Sequence, residues 1–155
     1  MDQNRLSQLA LSFIPGVGSY TIKQLISYCG SAEAVFKTPR QKLLKIPGIG
    51  PATANVIANQ KPYKEAEKEL LQADKEGVDI LLYTDKAYPK RLKHINDAPA
   101  LMYYKGAADL NKNKIVAIVG TRNATEYGKS FTEAIISQLK AHDALIVSGL
   151  AYGID

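Results

Sequence analysis

The segment VAIVGTRNATEYGKS, residues 116–130, ends an apolar run on Gly120, Thr121 and Arg122 and then turns into a helix-like pattern. A glycine, a hydroxyl and a guanidinium are thus placed at the carboxyl end of a buried strand, just ahead of a helix, where open parallel sheets bind ligands. Arginine forks onto phosphate with two parallel hydrogen bonds. A second apolar run, ALIVSG, delivers Ser148 and Gly149 to the same edge. Two loops of glycine and hydroxyl residues meeting there read as a phosphate-binding pocket. The other reading is a glycine turn in which Arg122 pairs with a carboxylate. Neither nucleotide fingerprint fits. The next glycine after Gly120 is Gly128, so G-x-G-x-x-G fails, and the GKS that follows comes too late for a P-loop. No cofactor is expected.

A second candidate is a repeat. FIPGVGSYTIKQL (13–25) returns 32 residues later as KIPGIGPATANVI (45–57). Each proline restricts the residue before it, and each glycine pair permits positive φ and close backbone approach. Both turns lead into helix starts, where free N–H groups and the helix dipole favour an anion. Gly48 and Gly50, with Lys42 and Lys45 nearby, read as a phosphate grip that ignores the base. Gly16 and Gly18, with Lys23, form the looser copy, since Ile22 stands where the second copy has the small Ala54. The alternative is that both turns merely join helices and the unit docks a protein.

Catalytic constellations are missing. His94 and His142 fit no metal spacing, Ser148 has no partnered base, and the single Cys29 reads as a small buried hydrophobe. Asp155 reads as structural, or as an accident of where the sequence stops, rather than as a general acid. No enzyme and no metal site are expected. An enzyme turning over a nucleotide on the second half stays open as the competing class, and a helical interaction module without DNA contact as a third.

The elements that must position these residues follow from periodicity and punctuation. Helices are expected over residues 5–14 and 19–28, with Ser19 as N-cap and Gly30 beyond the end. Further short helices are expected in SAEAVFKT, in RQKLLKI and from Pro51 to Asn59. YKEAEKELLQADKEGV reads as a linking amphipathic helix. VDILLYT and PALMYYKG read as strands around the loop DKAYPKRLKHIND. IVAIVG and ALIVSG read as strands buried on both faces. They flank a helix over roughly residues 127–141 with Phe131, Ile135 and Leu139 on one stripe. The expected fold is α + α/β: a small all-helical unit of two helix-hairpin-helix motifs, then the start of a Rossmann-like parallel sheet. The expected division is 1–62, a linking helix 63–77, and 78–155.

Hydrophobic residues make up 46% of the 155, enough for a real core. No apolar run reaches membrane-spanning length, the start lacks a secretory layout, and one cysteine suits a reducing cytoplasm. Of the net charge of +5, residues 1–60 carry +4, with six Lys or Arg against two acids, which favours an anionic partner such as nucleic acid.

The blocks LALSFIPGVGSYTIKQLISYCGSAEAVF, IPGIGPATANVIA, YTDKAYPKRLKHINDAPALMYYKG, VAIVGTRNATEYGKSFTEAI and IVSGLAYGID occur here in the order that resembles the DNA processing protein A (DprA/Smf) family. The resemblance implies a bacterial cytoplasmic protein that binds single-stranded DNA in natural transformation and recombination and loads the RecA recombinase onto it. It also implies the family's G-[ST]-R loop at Gly120, Thr121 and Arg122, its Tyr-Gly pair at Tyr127 and Gly128, and its S-G-x-A-x-G-I-D block from Ser148 and Gly149 to Asp155. Tyr152 departs from the basic residue often found there, exchanging a charge for a ring able to stack on a base. Family members continue beyond this point, through the rest of the sheet and the usual homodimer surface, so the chain reads as the front of a longer protein.

Overall fold

The computed structural model describes residues 2–59 and 61–155. They form two compact units, residues 1–106 and 107–155. The first begins with helices α1 (Gln3–Ser12), α2 (Ser19–Cys29), α3 (Ala32–Lys37), α4 (Arg40–Leu43), α5 (Pro51–Asn59) and α6 (Tyr63–Lys75). Strands β1 (Asp79–Leu82) and β2 (Leu101–Tyr104) follow, with a 3-10 helix over Lys90–His94 between them.

Start and stop chemistry explains most boundaries. The Asp2 carboxylate accepts from the Asn4 N–H at 2.9 Å, and the Ser31 hydroxyl accepts from Ala34 at 3.1 Å, so both helices have side-chain N-caps. Gly30 at φ +89° and Gly77 at φ +64° take the left-handed conformation that ends α2 and α6. Ser19 does not cap α2 as expected. It is already the first helical residue, and the extended Gly18 stands at the cap position with no side chain to offer.

The two glycine turns are near-copies in space. Val17 donates to Ile14 O and Ile49 to Ile46 O, each at 3.1 Å, with Gly16 at φ +77° and Gly48 at φ +78°. Proline then glycine in the middle of such a turn is the type II pattern. The flanking aliphatics Ile14, Val17, Ile46 and Ile49 are all buried, which anchors both turns to one core. Ile22 and Ala54, at equivalent places, are buried alike despite their difference in size.

Helix α1 is the hub of this unit. Leu6 to Leu11 are all buried, with α3 on one side and α6 on another. Burying Ser7 and Gln8 without partners would be costly. Ser7 donates to Gln3 O at 2.8 Å, and Gln8 bonds the Thr84 hydroxyl at 3.1 Å. The same helix holds the β-hairpin, because Arg5 donates to Asp85 at 2.7 Å and to Ile80 O at 2.6 Å. Strands β1 and β2 pair antiparallel, Asp79 opposite Tyr104 and Leu82 opposite Leu101. The first unit runs to residue 106 and so takes in the hairpin beyond residue 77. Ala66 and Ala73 seat the linking helix on the core, and the hairpin belongs with the helices.

The second unit is a β-α-β crossover: β3 (Ile115–Ala117), α7 (Glu126–Lys140) and β4 (Leu145–Val147), with β3 parallel to β4. The parallel pair is as expected for the start of a Rossmann-like sheet. Ile115, Val116, Leu145 and Ile146 are half-buried. Neither strand holds a buried residue, and no residue of α7 is buried; Phe131 is 54% exposed.

Truncating Leu25, wholly buried on α2, is expected to lower the stability of the first unit by about 3 kcal/mol. Tyr28→Ala, on the opposite face, should change it by less than about 0.5 kcal/mol. Urea denaturation followed by circular dichroism checks both.

Candidate nucleic-acid interface

The second unit brings its two strand-end loops together, through the last three residues of the sequence. Ile154 N–H donates to Thr121 O at 3.2 Å, and Gly120 N–H donates to the Asp155 carboxylate at 2.8 Å. A methyl group on Gly120 would come within 2.6 Å of Ile154 Cγ2, and one on Gly153 within 2.7 Å of Arg122 Cα. Gly153 also sits at φ +108°, a conformation L side chains rarely adopt. These two glycines are required for the loops to close on one another.

That closure uses up amides. Besides Gly120, Asn123 N–H donates to Thr121 Oγ1 at 3.2 Å, and Gly128 N–H donates to Thr125 Oγ1 at 3.1 Å as the α7 cap. Ser148 Oγ accepts from Leu150 N–H at 3.1 Å, tying that hydroxyl to its own turn. Gly149 lies against the Asp155 carboxylate. Of the expected pocket, the Gly120 amide is engaged within the protein, while the Thr121 and Ser148 hydroxyls accept bonds there and keep their own protons. Asp155 is the acceptor that clasps the Gly120 loop.

What faces solvent is Arg122, with Tyr127 and Tyr152 exposed at 77% and 93%. Among the described residues Arg122 makes no ion pair, so the carboxylate pairing weighed for it is not formed. Tyr127 stacks on Phe131 one helical turn on, ring centroids 6.0 Å apart and 16° from parallel. A guanidinium with exposed rings on one compact unit suits a polyanion that also carries flat bases.

In the first unit, Gly48, Gly50, Lys42 and Lys45 are exposed, and open space surrounds Gly50. The looser copy presents Gly16 and Gly18 at the surface as well, but Lys23 has turned away. Its ammonium donates to Asn96 O at 3.0 Å and to Ala98 O at 2.9 Å. Cys29 is half-buried, and its sulfur accepts from Thr38 Oγ1 at 3.6 Å. His142 is exposed just past α7, its N–H closing the helix onto Leu139 O. Among the described residues, no three His, Cys, Asp or Glu side chains gather as metal ligands, and no helix is long and apolar enough to cross a membrane. Two participants escaped the sequence reading: Asp155 as clasp, and the basic run Lys90–His94, whose three Lys or Arg in five residues were the available signal.

Comparison with known proteins places both units. A family model described as DNA recombination-mediator protein A matches residues 79–155, and a tandem SAM-like helix-hairpin-helix model matches 7–60 and 40–78. A protein Smf from Synechocystis is 31% identical over 151 residues, 95% of this chain and 38% of that protein. The chain belongs to the DNA processing protein A family. The DNA processing protein DprA of Bacillus subtilis is 37% identical over 94 residues, covering 60% of the chain and 32% of the relative. The X-ray structure of DNA processing protein A from Streptococcus pneumoniae superposes with a TM-score of 0.65 at 27% identity, over all of this chain and 51% of that one. The chain thus spans about a third of the length of these two curated relatives and half of the solved one. The family assignment fits the α + α/β fold.

Gly120→Ala and Gly153→Ala are each expected to open the strand-end loops, seen as faster amide exchange at residues 120–122 and 154. Gly50→Ala, with room for its methyl group, should leave exchange and melting temperature unchanged.

Proposed function

We propose that this chain carries a single-stranded-DNA-contacting part of a DNA processing protein, a binding protein and not an enzyme. Arg122 holds a backbone phosphate while Tyr127 and Tyr152 receive bases. Thr121, Gly120, Gly128, Ser148 and Gly149 shape the loops that carry them, and Gly48, Gly50 and Lys45 offer a second, sequence-independent phosphate contact. The observation that carries this reading is the exposed Arg122, which makes no ion pair among the described residues, just ahead of a helix whose second residue is the exposed Tyr127. Family membership supports the DNA class. In the cell the expected setting is the bacterial cytoplasm during transformation and recombination, with RecA as the protein that receives the coated strand.

Several physical points favour binding over turnover. Among the described residues Arg122 makes no ion pair, and Asp155 is engaged with a backbone amide. Phosphate contacts without base readout predict weak sequence preference and strong salt dependence.

Fluorescence anisotropy with labelled oligothymidylate tests this. Arg122→Ala should weaken binding about tenfold, as expected for one charge-assisted phosphate contact, and lower the salt slope by about one. Equal affinity and slope for variant and wild type would sink the reading.

A further inference from the structure

Helix α2 buries Ile22 and Leu25 on one side and shows a different stripe on the other. Tyr20, Lys23, Gln24, Ser27 and Tyr28 follow the i, i+3, i+4, i+7, i+8 spacing of one helix face. Helices in globular proteins usually give such a face to charged residues that remain in water. Here it carries two aromatic rings, 65% and 60% exposed, with a lysine between them.

The stripe forms one wall of a groove of about 310 Å³, whose other wall is Tyr83 and Lys93 from the hairpin. The ammonium groups of Lys23 and Lys93 lie over the Tyr83 ring, at 5.2 and 5.3 Å from its centroid. No carboxylate lines the groove. The adjacent Asp85 is already taken by Arg5 and by the Leu82 N–H. Two like charges are therefore held around one ring, within about a Debye length of each other, by backbone carbonyls of Asn96, Ala98 and Asp85 that carry no net charge to neutralise them. An anion entering there relieves their repulsion.

The charge alone would suit any anion, but the rings narrow the choice. Tyr20 and Tyr28 are eight residues apart, roughly 12 Å along the helix at its 1.5 Å rise per residue. Flat faces spaced along a positively charged groove are how proteins hold unpaired bases without reading sequence. Gln24 also reaches the second glycine turn, its Oε1 only 3.6 Å from where a methyl group on Gly48 would lie. A strand lying along this stripe thus arrives at the Gly48–Gly50 turn and Lys45.

We infer that the exposed face of α2, with Tyr83 and Lys93 opposite, is a binding groove for single-stranded nucleic acid on the helical unit. Tyr20 and Tyr28 stack bases, and Lys23 and Lys93 supply the field that attracts the intervening phosphates. The groove shares its ligand class with the Arg122 loop but none of its residues, so the two stand or fall separately.

Amide chemical-shift mapping of the full 155-residue chain with oligothymidylate decides it, in wild type and in Arg122→Ala. The groove predicts shifts at Tyr20, Gln24, Tyr28 and Lys93 that persist in Arg122→Ala. In that background, Tyr20→Ala with Tyr28→Ala should weaken binding about tenfold more. Both residues are exposed, and circular dichroism confirms that the fold survives. Shifts confined to residues 120–128 and 148–152 would overturn the groove and leave the Arg122 reading intact. Shifts confined to the groove would do the reverse. Shifts at Tyr20 and Tyr28 with hexaglutamate but not with oligothymidylate would make the groove an acidic-peptide site, and so would also overturn the proposal.

Discussion

One hydrogen bond decides what the strand-end site has left to offer a ligand. The Asp155 carboxylate takes the Gly120 N–H, the donor that would otherwise head an anion seat at the end of β3. It can do so because Gly153 turns the chain back with a positive φ and because neither Gly120 nor Gly153 carries a side chain. Nearby, the Thr121 and Thr125 hydroxyls accept from the Asn123 and Gly128 amides in their own local turns. The loop becomes a rigid mount for Arg122 rather than a cradle of backbone donors. A guanidinium on a short loop loses little freedom on forking to a phosphate.

The helical unit solves a different problem with the same residue type. Gly16 and Gly48 let two type II turns point their flanking isoleucines and valine inward, so both hairpins close on one core with α1 at its centre. The glycines therefore have a structural role whether or not DNA touches them. What distinguishes the copies is their surroundings. Gln24 lies against Gly48, and Lys45 stays exposed beside it, while Lys23 of the first copy is drawn into the hairpin loop. Binding capacity on this unit is thus concentrated on α2 and the second turn, along a continuous surface.

Local chemistry was readable from the sequence wherever one residue forces one conformation. The helix ends at Gly30 and Gly77, the paired turns and the β-α-β order of the second unit all followed from glycine, proline and periodicity. Long-range facts were not readable. Nothing in the order of residues shows that Arg5 reaches Asp85, so the hairpin looked like part of the second unit. The apolar runs around Val116 and Ile146 suggested strands covered on both faces, since hydropathy reports what a strand is suited to and not what packs on it. Arg122 stood out by its place after a strand, but the partner of Gly120 lay 35 residues away at Asp155. The α2 stripe was present as a spacing of Tyr20, Lys23, Gln24 and Tyr28, and only the opposing Lys93 and Tyr83 give it meaning.

The most direct measurement follows the Arg122 side-chain Nε–H and the Gly120 backbone N–H by NMR as oligothymidylate is added. The account predicts that the Arg122 side-chain resonance moves with saturation while the Gly120 amide, still held by Asp155, stays in place. Movement of the Gly120 amide with an unchanged Arg122 resonance would contradict it, and would return the site to a backbone anion cradle.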